Sequence, residues 1–183
     1  MRIKTCRIIF CGLLLISVLA AGSSFAASAV ELNTKADATL KSFFAKVPAA
    51  AELTEKSHGM LVFPAVYKAG FGVGAEYGEG VLRMAGKTVD YYSTAGASIG
   101  FQLGAQKKSI VILFMTKAAL QQFRTSQGWE VGVDGSVALI EFGIGKDFDT
   151  TNIKDPIIGF VFGNKGLMYN LSLEGSKLTK INK

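Results

Sequence analysis

The chain has 183 residues, of which 49% are hydrophobic and 19% charged, and its formal net charge is +6 at pH 7. This length suits one domain with a full hydrophobic core, and the high apolar fraction excludes a chain that is disordered throughout. Half of the net positive charge comes from three basic residues near the N-terminus, Arg2, Lys4 and Arg7.

The first 26 residues have the pattern of a secretory signal peptide. Three basic residues precede an apolar segment at 8–21, and Ser24-Phe25-Ala26 supplies the small residues of a cleavage site. The pattern predicts cleavage after Ala26 and a mature domain at 27–183. Because the apolar segment is short for a membrane-spanning helix, an uncleaved N-terminal anchor is the less favoured alternative.

Cleavage would remove three positive charges and both cysteines. It leaves 17 basic and 14 acidic residues, a net charge of +3. Since Cys6 and Cys11 lie in the signal peptide, disulfide and thiolate chemistry are excluded for the mature chain. The small charge surplus and the export signal both argue against a nucleic-acid ligand.

Residues 28–47 have the period of an amphipathic helix. Apolar side chains recur at steps of three and four, at Leu32, Ala36, Leu40, Phe43 and Val47. Pro48 ends this helix and also suits the first turn of a second, short helix at 49–56.

The aromatic residues of the first helix allow two interpretations. In one, Phe43 and Phe44 cover a sheet. In the other, they insert into a membrane interface, where lysines of the same helix, Lys41 and Lys46, would face the lipid headgroups. The sequence leaves both interpretations open.

From residue 59 onward the pattern changes to that of β-strands, and glycines recur in two runs, at 68–80 and 94–106. The glycines that share a strand face are Gly70, Gly72 and Gly74 in the first run and Gly96, Gly100 and Gly104 in the second. Glycine inside a strand marks a bend, a bulge or the close approach of a backbone or ligand. These runs predict a tightly bent sheet, and whether the glycines also line a binding groove stays open.

Further strands, turns and a helix are assigned from apolar runs and turn residues. Strands before residue 116 are predicted at 60–63, 70–78, 81–84, 88–93, 95–105 and 109–115. The first of these ends at Pro64, and the last is apolar on both faces and therefore central in the sheet. Turns are predicted at 86–87 and 106–108, and Thr116 caps a short helix that extends to about residue 125.

The C-terminal part completes the sheet. A strand pair begins near Trp129, a hairpin spans 157–173 with its turn at 163–166, and the tail from Gly175 adds an edge strand. The whole pattern predicts a single α+β domain. Its sheet is curved, mostly antiparallel and, in the extreme, barrel-like, with the N-terminal pair of amphipathic helices packed on it.

Two short motifs match enzyme signatures without the context that those enzymes need. The run 70–75 fits the dinucleotide fingerprint, but the residues after it cannot form the helix that holds a pyrophosphate. Ser98 lies in a G-x-S-x-G run, but its flanks alternate like a strand, and the one histidine, His58, precedes it. A serine hydrolase at Ser98 is a minor alternative, and neither a catalytic residue nor a cofactor is predicted.

An acidic loop at 147–155 contains Asp147, Asp149 and Asp155. It lacks the glycine and the glutamate of an EF-hand calcium loop. A solvated loop is the favoured interpretation, and loose ligation of a cation is the alternative. One histidine without a cysteine makes no zinc site, so no metal is predicted.

Several basic residues have no obvious acidic neighbour in the sequence, namely Lys68, Arg83, Lys87, Lys107, Lys108 and Arg124. Solubility alone would explain such residues. The functional alternative is a basic rim for anionic lipid headgroups, to which each surface cation contributes on the order of 1 kcal/mol.

Longer blocks of the sequence resemble the SYLF domain family. The run G-M-L-V-F-P-A-V-Y-K-A-G-F-G-V-G-A-E-Y-G-E-G at 59–80 resembles the opening of that domain, and the runs at 91–115, 128–138 and 151–176 are similar to its later blocks. The resemblance covers nearly all of the mature chain. It is closest to the exported, stand-alone bacterial branch of the family.

The resemblance implies lipid binding without enzyme activity. In eukaryotes the SYLF domain binds phosphoinositides through an N-terminal amphipathic helix and a basic surface, and in actin-patch proteins it is coupled to SH3 domains and actin. Here no SH3 domain is attached and an export signal is present. The implied partner is therefore an anionic phospholipid or membrane surface, and the implied location is the periplasm or the periphery of the envelope membrane of a Gram-negative bacterium.

The lipid-binding residues that follow from the helix and the basic rim are Lys41, Phe43, Phe44, Lys46, Lys68, Arg83, Lys107 and Lys108. The alternative function is an envelope scaffold that binds a protein, which the sequence does not identify, or a cell-wall polymer.

Overall fold

A computed structural model describes residues 27–141, 155–166, 173 and 175–183, with the backbone alone at 71–72, 98–103, 141, 164 and 166. The predicted signal peptide and two residues of the predicted acidic loop, Asp147 and Asp149, lie outside the described residues. Within the described part, no helix is both long enough and apolar enough to cross a bilayer.

Three described helices match the predicted ones. They are α1 at Ala29–Lys46, α2 at Ala49–Lys56 and α3 at Lys117–Thr125. The hydroxyl of Ser28 accepts a hydrogen bond from the Glu31 amide (3.2 Å) and so caps α1. The hydroxyl of Thr116 caps α3 in the same way, by accepting from the Ala119 amide (3.2 Å), as the sequence predicted.

Six described strands form one sheet in the order β3-β6-β2-β5-β4, and β1 pairs with β2 outside this path. Their bounds are Gly59–Met84 (β1), Lys87–Phe114 (β2), Trp129–Glu130 (β3), Ala138–Glu141 (β4), Ile157–Gly166 (β5) and Lys177–Ile181 (β6). All pairings are antiparallel except that of β4 with β5. The predicted class, α+β with a curved, mostly antiparallel sheet and N-terminal helices, is confirmed.

Several predicted strands are joined into two long ones. Pro64 does not end a strand, because the pairing of β1 with β2 shifts register between Phe63 and Val66, and a bulge of this kind accommodates a proline without a ladder hydrogen bond. The Pro64 carbonyl instead accepts a hydrogen bond from the Ser109 hydroxyl (2.9 Å). The turn predicted at 106–108 is also wrong, since these residues lie inside β2.

The turn between β1 and β2 lies at Ala85 and Gly86, one residue before the predicted turn. Both residues have positive φ angles, 47° and 76°, as a two-residue hairpin turn of the primed type requires. Nothing lies within 4 Å of a Cβ atom placed on Gly86, so its φ angle, and not a shortage of space, favours glycine here.

The C-terminal strands also differ from the predicted ones. β5 does not turn at 163–166 but continues to Gly166, and its end pairs with Gln106 and Lys107 of β2. β6 was predicted as an edge strand, but it lies between β2 and the short β3. The central position of β2 explains both results, because one half of this long strand pairs with β5 and the other half with β6.

The β1–β2 hairpin is folded over on itself. A Cβ atom at Gly80 would lie 2.6 Å from the Val62 carbonyl oxygen, and one at Gly78 would lie 2.7 Å from the Ala65 carbonyl oxygen. The two halves of β1 therefore pack against each other. They meet at residues 71–73, where the pairing with β2 shifts register again.

Glycine is required where this fold is tightest. A Cβ atom at Gly70 would lie 2.5 Å from the Cα atom of Gly74, closer than real Cβ contacts allow. Gly104, the partner of Gly70 on β2, has a φ angle of 139°, which side chains disfavour. The interpretation of these glycines as a bending device is supported, and no open groove remains at Gly74, which the protein buries.

Two hydrophobic clusters lie on opposite sides of the strands. One joins α1 and α2 to the sheet through residues such as Phe43, Val62 and Val111. The other joins α3 to the sheet through residues such as Leu61, Phe123 and Trp129. Because successive residues of β2 contribute to different clusters, its segment at 110–114 is buried on both faces, as predicted.

Candidate functional site

Where the β1–β2 hairpin folds over, polar side chains are buried and apolar side chains are exposed. We call residues 66–78 of β1 and 94–108 of β2 the bend. On its outer face Tyr67, Val73 and Tyr77 are 57%, 63% and 48% exposed. On its inner face the polar residues that are at most 7% exposed are Lys68, Glu76, Thr94, Gln106 and Lys108. Since charged side chains are rarely buried, this inversion distinguishes the bend from the rest of the sheet.

The described side chains on the outer face of the bend are mostly apolar and exposed. The apolar ones, which we call the outer patch, are Tyr67, Ala69, Val73, Ala75, Tyr77, Ala95, Ala97 and Ala105. The two strands alternate in step, so that Ala69 pairs with Ala105 and Tyr77 with Ala95. The patch is bordered by exposed Lys107, whose Nζ atom lies 5.6 Å from the centre of the Tyr67 ring. This distance allows a cation–π contact.

A buried ion pair joins the two halves of the bend from inside. The Nζ atom of Lys108 lies 2.8 Å from an Oε atom of Glu76, and the two side chains are 0% and 6% exposed. Removal of one partner from such a pair costs about 3–5 kcal/mol, because the other charge stays buried alone.

Among the described residues, several polar groups of the inner face have no hydrogen-bond partner, and the contact of Lys108 Nζ with Glu76 is an ion pair without hydrogen-bond geometry. Both polar atoms of the Gln106 amide are buried without such a partner, as are the Thr94 hydroxyl and the second carboxylate oxygen of Glu76. An unpaired buried group costs about 1–3 kcal/mol. Nearby, burial raises the pKa of the Tyr92 hydroxyl to about 12, and this hydroxyl is also unpartnered. Fewer of the buried polar groups inside the bend have hydrogen-bond partners than is usual in a protein core.

The predicted lipid-binding residues of α1 are divided between core and surface. Phe43 is fully buried, with its ring 5.3 Å from that of Phe162 and 5.0 Å from that of Phe160. Of the two interpretations of this aromatic face, the structure supports the covering of the sheet. Phe44 is half-buried beside it.

The predicted basic residues do not form one surface. Lys68 and Lys108 are buried, and Arg83 forms an ion pair with Asp37 (2.7 Å). The prediction that Lys68 and Lys108 belong to a basic surface is wrong. Alternate residues of a strand face opposite sides, and these two lysines lie on the inner side. The exposed members are Lys41, Lys46 and Lys107. A part for any of the eight residues in lipid binding stays a prediction.

The sequence also contains two short runs that match enzyme motifs, at 70–75 and around Ser98, and the backbone of both runs is extended. Ser98 pairs with Gly74 inside the β1–β2 ladder, so it does not occupy the strand–turn–helix elbow of a hydrolase. The run 70–75 also stays in β1 and does not lead into a helix. In the part of the chain that the structure describes, no group of three histidine, cysteine or acidic residues could hold a metal ion.

Two cavities lie beside the sheet. One, of about 480 Å³, lies between α1 and β1 and includes Leu32, Lys35 and the two tyrosines of the outer patch in its wall. The other, of about 460 Å³, lies between α3 and the end of β1, next to His58 and Arg124. The first cavity opens beside the bend and so belongs to the same region of the surface.

Sequence reasoning missed the outer patch. The signal was present, because odd positions from Tyr67 to Tyr77 are mostly apolar, while the even positions contain Lys68 and Glu76 as well as glycines. Alternation alone does not tell which face is buried, and the usual assumption places apolar residues inside. Here that assumption fails.

Two comparisons with known proteins bear on this chain. It is 30% identical over 154 residues to the protein named beta cell expansion factor A from Aeromonas veronii, a match that covers 81% of this chain and 55% of that protein. The chain thus spans about half the length of this curated relative. Residues 95–183 match the family described as Ysc84, Las17-binding protein actin regulator. The predicted resemblance to SYLF domains is confirmed by this match of residues 95–183 to the Ysc84 (SYLF) family.

Proposed function

We propose that this protein is a non-catalytic lipid-binding protein that attaches to a membrane through the outer patch of the bend. The observation that carries the proposal is the inversion at the bend, where tyrosine, valine and alanine side chains face solvent above a layer of buried charges. A group of exposed apolar side chains of this kind marks a site of contact with a membrane or another protein. The resemblance to SYLF domains, which bind phosphoinositides in eukaryotes, supports the first of these.

The composition of the outer patch suits the interface of a bilayer. Tyr67 and Tyr77 each present an apolar ring with a polar tip, the combination enriched at the level of the lipid headgroups. Val73 and the alanines between them add apolar area without charge. Full burial of a valine-sized side chain contributes about 1.5–3 kcal/mol, so a few such residues provide measurable affinity.

Charge around the patch favours an anionic lipid. Lys107 lies at its border with an exposed side chain, and Lys41 and Lys46 are exposed on α1. Each cation near an anionic surface contributes about 1 kcal/mol and loses this contribution as salt rises. We propose an exported protein whose partner is an anionic phospholipid of the bacterial envelope.

A protein partner is the second candidate. The family description names a protein ligand and actin regulation, and the outer patch could equally contact a protein. For this chain, an envelope scaffold that binds a protein or a cell-wall polymer remains the alternative, and the experiment below separates it from lipid binding.

Vesicle co-sedimentation of the mature chain tests the proposal. We expect binding to vesicles of phosphatidylcholine mixed with phosphatidylglycerol, weaker binding to pure phosphatidylcholine, and a decrease with salt. The double variant Tyr67→Asp with Val73→Asp should lose affinity by about tenfold or more, since two inserted side chains become charged. A variant with Lys41→Gln and Lys46→Gln measures the smaller contribution of α1.

The matched control places the same charges on exposed valines outside the bend, Val89→Asp with Val133→Asp, which are 42% and 73% exposed in the parent. This control should bind vesicles like the parent. If the bend variant folds and binds as well as the control, the outer patch is not the attachment site. If the parent binds no vesicle at any salt but retains a partner from envelope extract, the scaffold is favoured instead.

A further inference from the structure

The first described residue, Ala27, contacts the sheet through its backbone nitrogen. Its N–H donates a hydrogen bond to an Oε atom of Glu79 (3.2 Å), a residue 52 positions later in β1. Ala27 is also the residue that follows the predicted cleavage site. The atom that cleavage would convert from a peptide nitrogen to a terminal amine therefore already faces a carboxylate.

Glu79 receives two further donors at the same place. The Nζ atom of Lys183 donates to the same Glu79 oxygen (2.8 Å) and also to the Ala27 carbonyl oxygen (2.8 Å). The Tyr77 hydroxyl donates to the other Glu79 oxygen (3.0 Å). Burial and this hydrogen bond raise the pKa of Tyr77, so its hydroxyl remains a donor at neutral pH. The Glu79 carboxylate thus joins Ala27 to Lys183.

We propose that cleavage after Ala26 creates an α-ammonium group at Ala27 that forms an ion pair with Glu79, so that processing completes this junction. Water adds across the Ala26–Ala27 peptide bond. The hydroxyl remains on the Ala26 carbonyl carbon as a carboxylic acid, which loses its proton, and the Ala27 nitrogen becomes an amine that gains a proton near neutral pH. A single neutral N–H donor is thereby replaced by a charged group with three.

The Lys183 ammonium already forms an ion pair with Glu79 (2.8 Å), so the Ala27 ammonium would share this carboxylate with a second cation, and its gain comes from the free acceptor capacity of Glu79. A carboxylate accepts about four hydrogen bonds, so Glu79 has capacity beyond its three present donors. The other charged groups beside Ala27 in the cavity, Glu31 and Lys35, form an ion pair with each other at 2.6 Å and add little net charge. Hydrogen bonds between ionised partners are roughly twice as strong as neutral ones.

The position of the junction gives cleavage a structural consequence. Ala27 lies two residues before α1, and both it and Glu79 border the cavity between α1 and β1. Formation of the ion pair would fix the start of α1 against the bend and leave no chain attached at the rim of that cavity. The inference rests on the predicted cleavage and does not depend on lipid binding.

A double-mutant cycle between the terminal amine and Glu79 tests the proposal. The four proteins are the mature chain with a free Ala27 amine and the same chain with an Nα-acetyl group, each with Glu79 and with Glu79→Gln. Acetylation should lower the folding equilibrium constant of the parent by about three- to tenfold and should have little effect in Glu79→Gln. As a matched control, acetylation should cost the same in Glu52→Gln as in the parent, because Glu52 pairs with Lys56 elsewhere.

A second measurement does not depend on stability. Mass spectrometry of the exported protein should show Ala27 as the first residue, and the α-amine should react with an acylating reagent several-fold more slowly in the parent than in Glu79→Gln. A mature chain that begins at another residue would overturn the proposal. Equal labelling rates, or an acetylation effect that persists unchanged without Glu79, would also overturn it.

Discussion

The two ends of the β1–β2 hairpin differ in the kind of side chain that they bury. At its base, residues 59–63 and 110–114 bury apolar side chains on both faces, against α1 on one side and α3 on the other. At the bend, the same two strands bury charged and amide groups and expose an apolar patch. The difference shows that one continuous ladder can support a conventional core at one end and an interaction surface at the other.

Loss of the buried ion pair should have the largest effect on the bend. Lys108→Met leaves the Glu76 carboxylate buried without a partner and should reduce the free energy of unfolding by about 3–5 kcal/mol, as measured by denaturant titration. The double variant Lys108→Met with Glu76→Leu should recover most of this loss. At the exposed pair of Glu31 and Lys35, Lys35→Met should cost less than about 1 kcal/mol. A loss of this small size for Lys108→Met would show that the inside of the bend is open to water.

The ion pair of Lys108 with Glu76 is a feature that could not be predicted from the sequence. The helices, their caps and the bent, glycine-rich strands could be predicted, because local periodicity and capping residues determine them. The burial of Lys108 could not, since its partner Glu76 is 32 positions away and reaches it only when the hairpin folds over. Adjacent lysines such as Lys107 and Lys108 are typical of exposed loops, and so they predicted a turn. No local signal shows that Lys108 is neutralised inside the bend.

A side chain at the contact between the two halves of β1 should have the next largest effect. In Gly80→Val, the first added carbon would lie 2.6 Å from the Phe63 ring and from the Val62 carbonyl oxygen. We expect a loss near the upper end of about 1–3 kcal/mol, measured by thermal unfolding. Gly96→Ala is the milder comparison, because its added carbon would meet the Ser176 hydroxyl at 3.3 Å. Equal melting temperatures for Gly80→Val and the parent would contradict the folded-over hairpin.

Removal of an unpaired amide from the bend should have the smallest effect, with the opposite sign. Gln106→Leu replaces two buried atoms that have no hydrogen-bond partner within the described part of the chain. The free energy of unfolding should stay unchanged or rise by about 1 kcal/mol, because nothing is left unsatisfied. A clear loss of stability in denaturant titration would instead show that Gln106 holds a bound water or ligand inside the bend.

Entry of the outer patch of the bend into the membrane can be measured at a single residue. Because residues 27–183 contain no cysteine, Val73→Cys provides a unique site for an environment-sensitive fluorophore, and Val133→Cys provides the matched exposed site elsewhere. With vesicles that contain phosphatidylglycerol, we expect the fluorophore emission to shift to the blue and gain intensity at position 73 and to stay unchanged at position 133. Binding of the labelled protein without any spectral change at position 73, or with an equal change at both sites, would contradict it.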